Sequence, residues 1–195
     1  MLELTDSPQI KNAIDLGLPS GTKWASFNIG ANSPEQYGDF FSWGETEKKD
    51  YYDWCTYCHC EGTESTCRNI GNICTTLYDV AYMKWGNNWA IPSPEQINEL
   101  IDFTTYKWIE INGTFGGEFV GSNGKSIFLP AAGGRHGSVL YTSGIHGIYW
   151  SGMQNKNNND AYALHFDNCF ADWCKNNWYR KVGFPIRPVL CIGTQ

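Results

Sequence analysis

The chain has 195 residues, a formal net charge of −6 at pH 7 and a hydrophobic content of 42%. This length predicts one domain with a sizeable core, and the acidic balance lacks the basic surface that nucleic-acid binding requires. No apolar run approaches the length of a membrane-spanning helix. We therefore expect a protein that binds no nucleic acid and does not span a membrane.

Residues 1–12 are predicted to form a polar N-terminal tail ahead of the apolar block that begins at Ala13. They lack the pattern of a signal peptide. We expect either that the protein is not exported by that route or that the chain is a fragment of a longer exported protein. Residues 13–195 are predicted to form a single domain.

A Cys-rich insertion is predicted at residues 50–76, a segment with little periodicity that holds Cys55, Cys58, Cys60, Cys67 and Cys74. The total of eight cysteines favours disulfides in an oxidising compartment, with free thiols as the alternative. Cys55-X2-Cys58 is a spacing that zinc accepts. Cys67 and Cys74 are too widely spaced to complete a clean site, and we predict no metal ligands.

The clearest helix signal predicts a helix near residues 94–103. Ser93 is a suitable N-cap, Pro94 suits the first helical position, and Gln96 completes a capping box. Apolar residues at 97, 100 and 101 supply one buried face. The same Ser-Pro-Glu-Gln pattern at residues 33–36 is a second, weaker helix start.

Short strands and turns account for the rest of the chain. Residues 23–27 alternate weakly, residues 125–130 read as a short apolar strand, and residues 162–167 alternate as in a half-buried strand. Turns are predicted at the glycines of the middle region, which lie at positions 113, 116, 117, 121, 124, 133, 134 and 137. The predicted fold class is therefore α+β with long loops.

The last third of the chain combines a regular frame with irregular inserts. The frame blocks are residues 149–152, 161–166 and 183–189, and the inserts are residues 154–160 and 167–181. The inserts are rich in Asn, Asp, Trp, Tyr and Cys, which make contacts readily without filling a core. This contrast favours a recognition surface on a rigid scaffold.

A ligand-contacting patch is predicted on these inserts and on one frame residue. Tyr offers contact area at low entropy cost, and Asn offers adaptable hydrogen bonds. The alternative is an ordinary solvated loop, in which Asn favours turns. The predicted ligand-binding residues are Asn155, Asn157, Asn158, His165, Asp167, Asn168, Phe170, Asp172, Asn176 and Tyr179. Arg187, in the frame, is expected to make a buried structural hydrogen bond or ion pair.

Several blocks, in order, carry a resemblance to a known family. They are residues 15–25, 37–46, 89–93, 127–133, 149–151 and 186–189. Together they resemble the Fibrobacter succinogenes major paralogous domain family, which is abundant in gut Bacteroidetes. The resemblance covers residues 13–191 and implies a C-type lectin-like fold, with small twisted antiparallel sheets, few helices and long loops. Formylglycine-generating enzymes share that fold.

A narrower resemblance is to the variable proteins of diversity-generating retroelements, which use the same fold. In these proteins adenines of a C-terminal cassette are mutated, so that AAC codons for Asn become codons for many other residues. The Asn-rich stretch 155–159 and the assortment of residues at 165–179 fit such a cassette. The resemblance implies a variable ligand-binding region at residues 147–190.

Enzyme chemistry has weaker support. Cys169-X4-Cys174 matches the spacing of the copper-binding pair in formylglycine-generating enzymes, but residues 170–173 depart from that family. The sugar-binding motifs of calcium-dependent lectins are absent from the sequence. The four His residues are scattered, and no nucleophile elbow, phosphate loop or dinucleotide fingerprint occurs. His136 and His146 flank a Gly-rich loop and are expected either near the binding face or simply exposed.

These observations lead to one hypothesis for function. We predict a non-enzymatic ligand-binding protein with no catalytic residues and no cofactor, diversified by a retroelement, whose partner is a protein or glycan ligand on another cell or host surface. The predicted location is the cell surface or extracellular space, with a pilus tip or a phage tail as particular settings. The alternatives are an undiversified surface adhesin or carbohydrate-contacting module, and a formylglycine-generating-type copper oxidase.

Overall fold

The computed structural model describes residues 13–86 and 88–191, and for residues 173–177 it describes the backbone alone. The predicted tail at residues 1–12 lies outside this described part. Within it the chain forms an α+β structure of small antiparallel sheets with two helices, as the sequence predicts. The helices are α1 (Val80–Trp85) and α2 (Pro94–Phe103), and the strands are β1 (Ala13–Asp15), β2 (Lys23–Ala25), β3 (Trp89–Ala90), β4 (Thr104–Ile111), β5 (Thr114–Gly121), β6 (Ser126–Pro130), β7 (Gly134–His136), β8 (Val139–Tyr141), β9 (Gly147–Gln154), β10 (Asp160–Phe166), β11 (Ala171–Tyr179) and β12 (Val189–Leu190).

The first sheet joins the two ends of the described chain. Its strand order is β1-β2-β12-β3, and all of its pairs are antiparallel. Val189 of β12 pairs with Trp24 on one side and with Ala90 on the other. All three side chains are buried. The C-terminal strand is therefore held between two segments from the first half of the chain.

The central sheet, β11-β10-β9, is covered by core on both faces. Ala163 pairs with Trp150, and both belong to a core cluster that includes Phe184. Leu164 pairs with Tyr149, and both belong to a second cluster. The strand predicted at 162–167 is confirmed as β10. The prediction that it is buried on one face only is wrong at Ala163, which is fully buried. A bulge between Ala161 and Ala163, together with the second core cluster, breaks the simple alternation.

A third sheet, β4-β5-β6, was only partly predicted. The apolar strand at 125–130 is confirmed as β6. Gly116, Gly117 and Gly121, expected in turns, instead lie within β5. A Cβ atom on Gly121 would lie 1.9 Å from the carbonyl oxygen of Leu16. These glycines allow neighbouring backbone and side chains to approach closely. Glycine in this sequence therefore marks close packing within a strand as well as turns.

The helix predicted near 94–103 is confirmed as α2, with its predicted capping box. The Ser93 side chain accepts from the Gln96 backbone N–H, and the Gln96 side chain accepts from the Ser93 backbone N–H. Its buried face packs into the second core cluster. Residues 33–36 form a turn and not a helix. Neither helix of the described residues is long and apolar enough to cross a membrane.

Helix α1 was missed because its start signal is a single buried carboxylate. Asp79 caps the helix by accepting from the backbone N–H groups of Ala81 and Tyr82. The same carboxylate accepts from Thr75 and Ile91. Burial raises the pKa of Asp79, while these backbone hydrogen bonds stabilise its charged form.

Arg187 is fully buried, as predicted, and acts as a structural cross-link. Its guanidinium donates to the side chain of Asn28 at 2.8 Å and to the carbonyl oxygens of Ala25 at 3.1 Å and Phe128 at 2.9 Å. Ala25 and Asn28 belong to one segment of the chain and Phe128 belongs to another. Arg187 therefore fixes the frame block 183–189 against both segments.

The Cys-rich insertion contains one disulfide, between Cys60 and Cys67. Cys55 and Cys58 are free and exposed, and Cys74 is free and half-buried. Tyr52 and Tyr57 are buried, so the insertion is anchored in the protein by aromatic side chains as well as by its disulfide.

Candidate functional site

The predicted ligand-contacting residues fall into two groups at opposite ends of β10. Asn155, Asn157 and Asn158 lie in the loop before the strand. His165 is the penultimate residue of the strand, and Asp167, Asn168, Phe170 and Asp172 surround the turn into β11. The six residue steps from Asp160 to Phe166 correspond to about 20 Å. Tyr179 pairs with Asp160 and so lies at the end that carries the Asn loop. The side chain of Asn176 lies outside the described part of the protein.

The Asn loop is partly structural. Asn158 Oδ1 accepts from Gln154 Nε2 at 3.0 Å. Asn157 Nδ2 donates to Asp160 Oδ2 at 3.4 Å, and the Asp160 N–H donates to the carbonyl of Asn157. Both Asn side chains nevertheless remain largely exposed. The loop therefore combines local turn hydrogen bonds with accessible amides.

Asp167 shapes the turn that presents its neighbours. Its Oδ1 accepts from the backbone N–H groups of Cys169 at 2.7 Å and Phe170 at 3.2 Å. Its carbonyl oxygen accepts from the Tyr106 hydroxyl. Such an Asx turn fixes the backbone and leaves the following side chains exposed. Asn168 and Phe170 are accordingly exposed, Phe170 by 43%.

His165 forms a pair with His146, a residue outside the predicted patch. Their imidazoles meet at 3.0 Å, from Nε2 of His165 to Nδ1 of His146. Burial lowers the pKa of His165, and the neighbouring His146 lowers it further. The His165 ring also lies 5.4 Å from that of Phe170 and 6.2 Å from that of Trp178. His165 thus connects the β10–β11 turn to the far end of β11.

An open cleft of about 530 Å³ lies beside that far end, and we call it the hairpin cleft. The β7–β8 hairpin forms one wall and the end of β11 forms the other. Its lining residues are His136, Val139, Tyr141, Trp178, Tyr179 and Val182. Of these, only Tyr179 was predicted as a contact. Arg135 and Gly183 exchange backbone hydrogen bonds, which holds the hairpin next to the residues after β11.

The rim of the hairpin cleft carries a compact ionic and aromatic group. Asp53 Oδ2 lies 3.3 Å from Lys181 Nζ and 3.9 Å from His136 Nε2. The Trp54 ring meets the Tyr179 ring at 5.6 Å between centroids, and Lys181 Nζ lies 5.3 Å from the centroid of the Trp54 ring. The Cys-rich insertion therefore contributes to the same surface as the end of β11.

A smaller cleft, of about 210 Å³, borders the β10–β11 turn and is called here the turn cleft. Trp108 and Phe115 of the β4–β5 hairpin stack with centroids 6.3 Å apart on one side. Its lining residues are Trp108, Phe115, Gly144, Ile145 and Asn168. Ile145 is 59% exposed. Together with the hairpin cleft, this gives the β10–β11 pair an apolar border on two sides.

The two inserts are not uniformly exposed, which corrects the sequence interpretation at their ends. Gln154, Asp160, Arg180 and Lys181 lie within the inserts but are buried. Gln154 Oε1 accepts from the N–H groups of Ile70 and Gly71 and from Arg180 Nη1. These side chains belong to the scaffold because they connect the base of the Asn loop to the insertion.

Cys58 and Cys74 are poorly suited to act as nucleophiles. Burial raises the pKa of Cys58 to about 11 and that of Cys74 to about 12, whereas reactive thiols have lowered pKa values. Cys169 lies in the turn and is free and exposed, and Cys174 lies within β11 with its side chain outside the described part. Among the described residues, no group of three or more His, Cys, Asp or Glu is arranged to hold a metal ion.

Comparisons with other proteins add no relative. No family model matches the chain, and neither curated proteins nor solved structures give a match.

Proposed function

We propose that this protein is a non-enzymatic ligand-binding protein with a C-type lectin-like fold, which recognises its partner through the β10–β11 face. We define this face as His165, Asn168, Phe170 and Asp172 around the β10–β11 turn, together with Tyr179 at the opposite end of the strand pair. The observation that carries the proposal is the separation of buried scaffold from exposed contact residues within one strand pair. Phe166 is fully buried, whereas Phe170, across the turn, is 43% exposed.

The surroundings of this face also support recognition. Exposed apolar side chains at Val139, Ile145, Phe170 and Tyr179 lie on or beside it. Large exposed apolar groups near polar ones are typical of binding surfaces. The scaffold beneath is fixed by the Asx turn of Asp167 and by core on both faces of the central sheet. Side chains on the face can therefore vary at little cost to the fold.

The C-type lectin-like assignment draws on the sequence resemblance and on two features of the chain. Strands near both ends pair in one sheet, and the remainder consists of small antiparallel sheets with few helices. The Fibrobacter succinogenes major paralogous domain family remains our proposal for its relationship. A surface or extracellular location follows from this proposal, and the Cys60–Cys67 disulfide supports an oxidising compartment.

We further propose that a diversity-generating retroelement varies this face. Sequencing of the coding segment for residues 147–191 from a natural population tests it. Substitutions should concentrate at Asn168, Phe170, Asp172 and Tyr179. Buried Leu164 and Arg180, which flank them in the chain, should stay constant. A uniform spread, or none, would refute diversification and leave an undiversified surface adhesin.

Binding itself requires a second experiment. Tetramers of the purified protein are applied to arrays of bacterial and host surface proteins and of glycans. A triple variant, Asn168→Ala with Phe170→Ala and Asp172→Ala, should lose the wild-type hits because it removes three exposed contact groups. A control with Glu61→Ala and Ser65→Ala, in the exposed part of the insertion, should keep them. If the triple variant keeps the wild-type hits as the control does, this face is ruled out as the contact surface.

A further inference from the structure

The hairpin cleft combines aromatic rings with hydroxyl groups that have no hydrogen-bond partner in the described part of the protein. Tyr141, Trp178 and Tyr179 contribute three rings to its lining. Among the residues whose side chains the structure describes, 13–86, 88–172 and 178–191, neither the Tyr141 nor the Tyr179 hydroxyl has a hydrogen-bond partner. Burial raises the pKa of Tyr141 to about 12, so its hydroxyl stays protonated and can both donate and accept.

The charges near the cleft compensate each other. Asp53 and Lys181 form an ion pair at 3.3 Å, and His136 lies 3.9 Å from the same carboxylate oxygen. Because Lys181 and Asp53 pair with each other, neither of these two charges at the rim is available to attract an anion or a cation. A ligand that fits this cleft is expected to be neutral.

We infer that the hairpin cleft binds a neutral saccharide unit, stacked on its aromatic rings and hydrogen-bonded to the hydroxyls of Tyr141 and Tyr179. This inference rests on the proposed function and names the ligand class for one part of its surface. A sugar ring presents an apolar face of C–H groups and an edge of hydroxyls, which matches the rings and the free hydroxyls of the cleft. The His136 imidazole adds a third hydrogen-bonding group at the rim.

An apolar side chain of a protein partner fits the cleft less well. It would occupy the ring surfaces but would cover the tyrosine hydroxyls without pairing them, and burying an unpaired polar group is unfavourable. The cavity of about 530 Å³ is also within the size range of small-ligand sites. The aromatic lining and free hydroxyls together therefore favour the saccharide.

A glycan array that carries neutral, sialylated and sulfated oligosaccharides is the first test. Neutral members should bind, and binding should persist in EDTA because no metal takes part in this proposed contact. The best neutral oligosaccharide is then titrated by calorimetry against the wild type, Tyr141→Phe and Tyr179→Phe. Each Phe variant keeps the ring and loses the hydroxyl, so we expect an affinity loss of about tenfold for each.

Tyr78→Phe is the matched control, because it removes an exposed tyrosine hydroxyl from a different cavity, beside His59. It should leave the affinity unchanged. Unchanged affinity in both cleft variants would overturn the saccharide contact, and so would an array on which no neutral glycan binds. If a protein ligand is instead found that requires Asn168, Phe170 and Asp172, the saccharide inference fails while the proposed function stands.

Discussion

Arg180 donates a hydrogen bond from Nε to the hydroxyl of Tyr57 at 2.8 Å, although the two residues lie 123 positions apart in the chain. Nη1 of the same arginine donates to the carbonyl of Arg68 and to Gln154 Oε1, each at 2.9 Å. Its guanidinium also lies over the ring of Trp43, 5.1 Å from the centroid. One buried cation thus joins the Cys-rich insertion to the strands that carry the candidate binding face.

Arg180→Ala is expected to lower the free energy of unfolding by about 3 kcal/mol, because it removes three hydrogen bonds and leaves a cavity. Urea unfolding measures this change. Hydrogen exchange should also accelerate in residues 52–70 and in the Asn loop, which lose their common anchor. Arg68→Ala is the control, since the Arg68 side chain is 67% exposed and its ion pair with Glu61 lies at the surface. A loss no larger than that of the control would show that the network has little effect on stability.

Phe166 and Phe170 offer a matched test of the division between scaffold and face. Phe166→Ala should destabilise the protein by about 3–5 kcal/mol, because the ring packs against Tyr149 and Phe119 in the core. Phe170→Ala should change stability by no more than about 1 kcal/mol, because its ring is 43% exposed and packs edge-to-face with the His165 ring. Urea unfolding of both variants compares them directly. Similar losses would mean that the turn is part of the core and unsuited to variation.

The fold was predictable from the sequence where the signal for an element lies within that element. Helix α2 begins at a capping box that is visible in the sequence, and Arg187 lies in a block of apolar and proline residues that indicates burial. The glycines at 116 and 117 were misread as turns because glycine also serves close approach between strands, which only the three-dimensional neighbours reveal.

The hairpin cleft was not predictable for a related reason. It brings His136 and Tyr141 against Trp178 and Val182, and these come together only through tertiary packing. Arg180 likewise follows Asn, Trp and Tyr residues in the sequence, and this composition predicts an exposed insert. Its buried role depends on Tyr57 and Arg68 in a distant insertion. Pairing between segments far apart in the chain leaves no local pattern.

The Cys60–Cys67 disulfide closes a short loop, with a sequence separation of 7. The double variant Cys60→Ala with Cys67→Ala should lose about 2 kcal/mol of stability in the loop-entropy description. A reductant should destabilise the wild type by a similar amount and leave the double variant unaffected. Cys55→Ala, at a free and exposed cysteine, is the control and should match the wild type. Reductant sensitivity that persists in the double variant would indicate a different pairing.

The pH dependence of stability should carry a contribution from His165. Burial lowers its pKa in the folded protein, and His146 lowers it further, while Asp167 and Asp172 act in the opposite direction. The unfolded chain takes up this proton near pH 6.5 and the folded protein only at lower pH. The stabilising contribution is therefore present above about pH 6.5 and is lost as the pH falls towards the pKa of the folded state.

His165→Gln isolates this contribution, because glutamine does not titrate and His59, whose pKa burial also lowers, is present in both proteins. The free energy of unfolding is measured by urea titration at intervals between about pH 8 and pH 5. The wild type should lose stability relative to the variant as the pH falls through this window, and the difference should be constant at its upper end. Parallel curves throughout, or a wild type that gains stability towards acid, would show that the His146–His165 contact does not disfavour the charged imidazole.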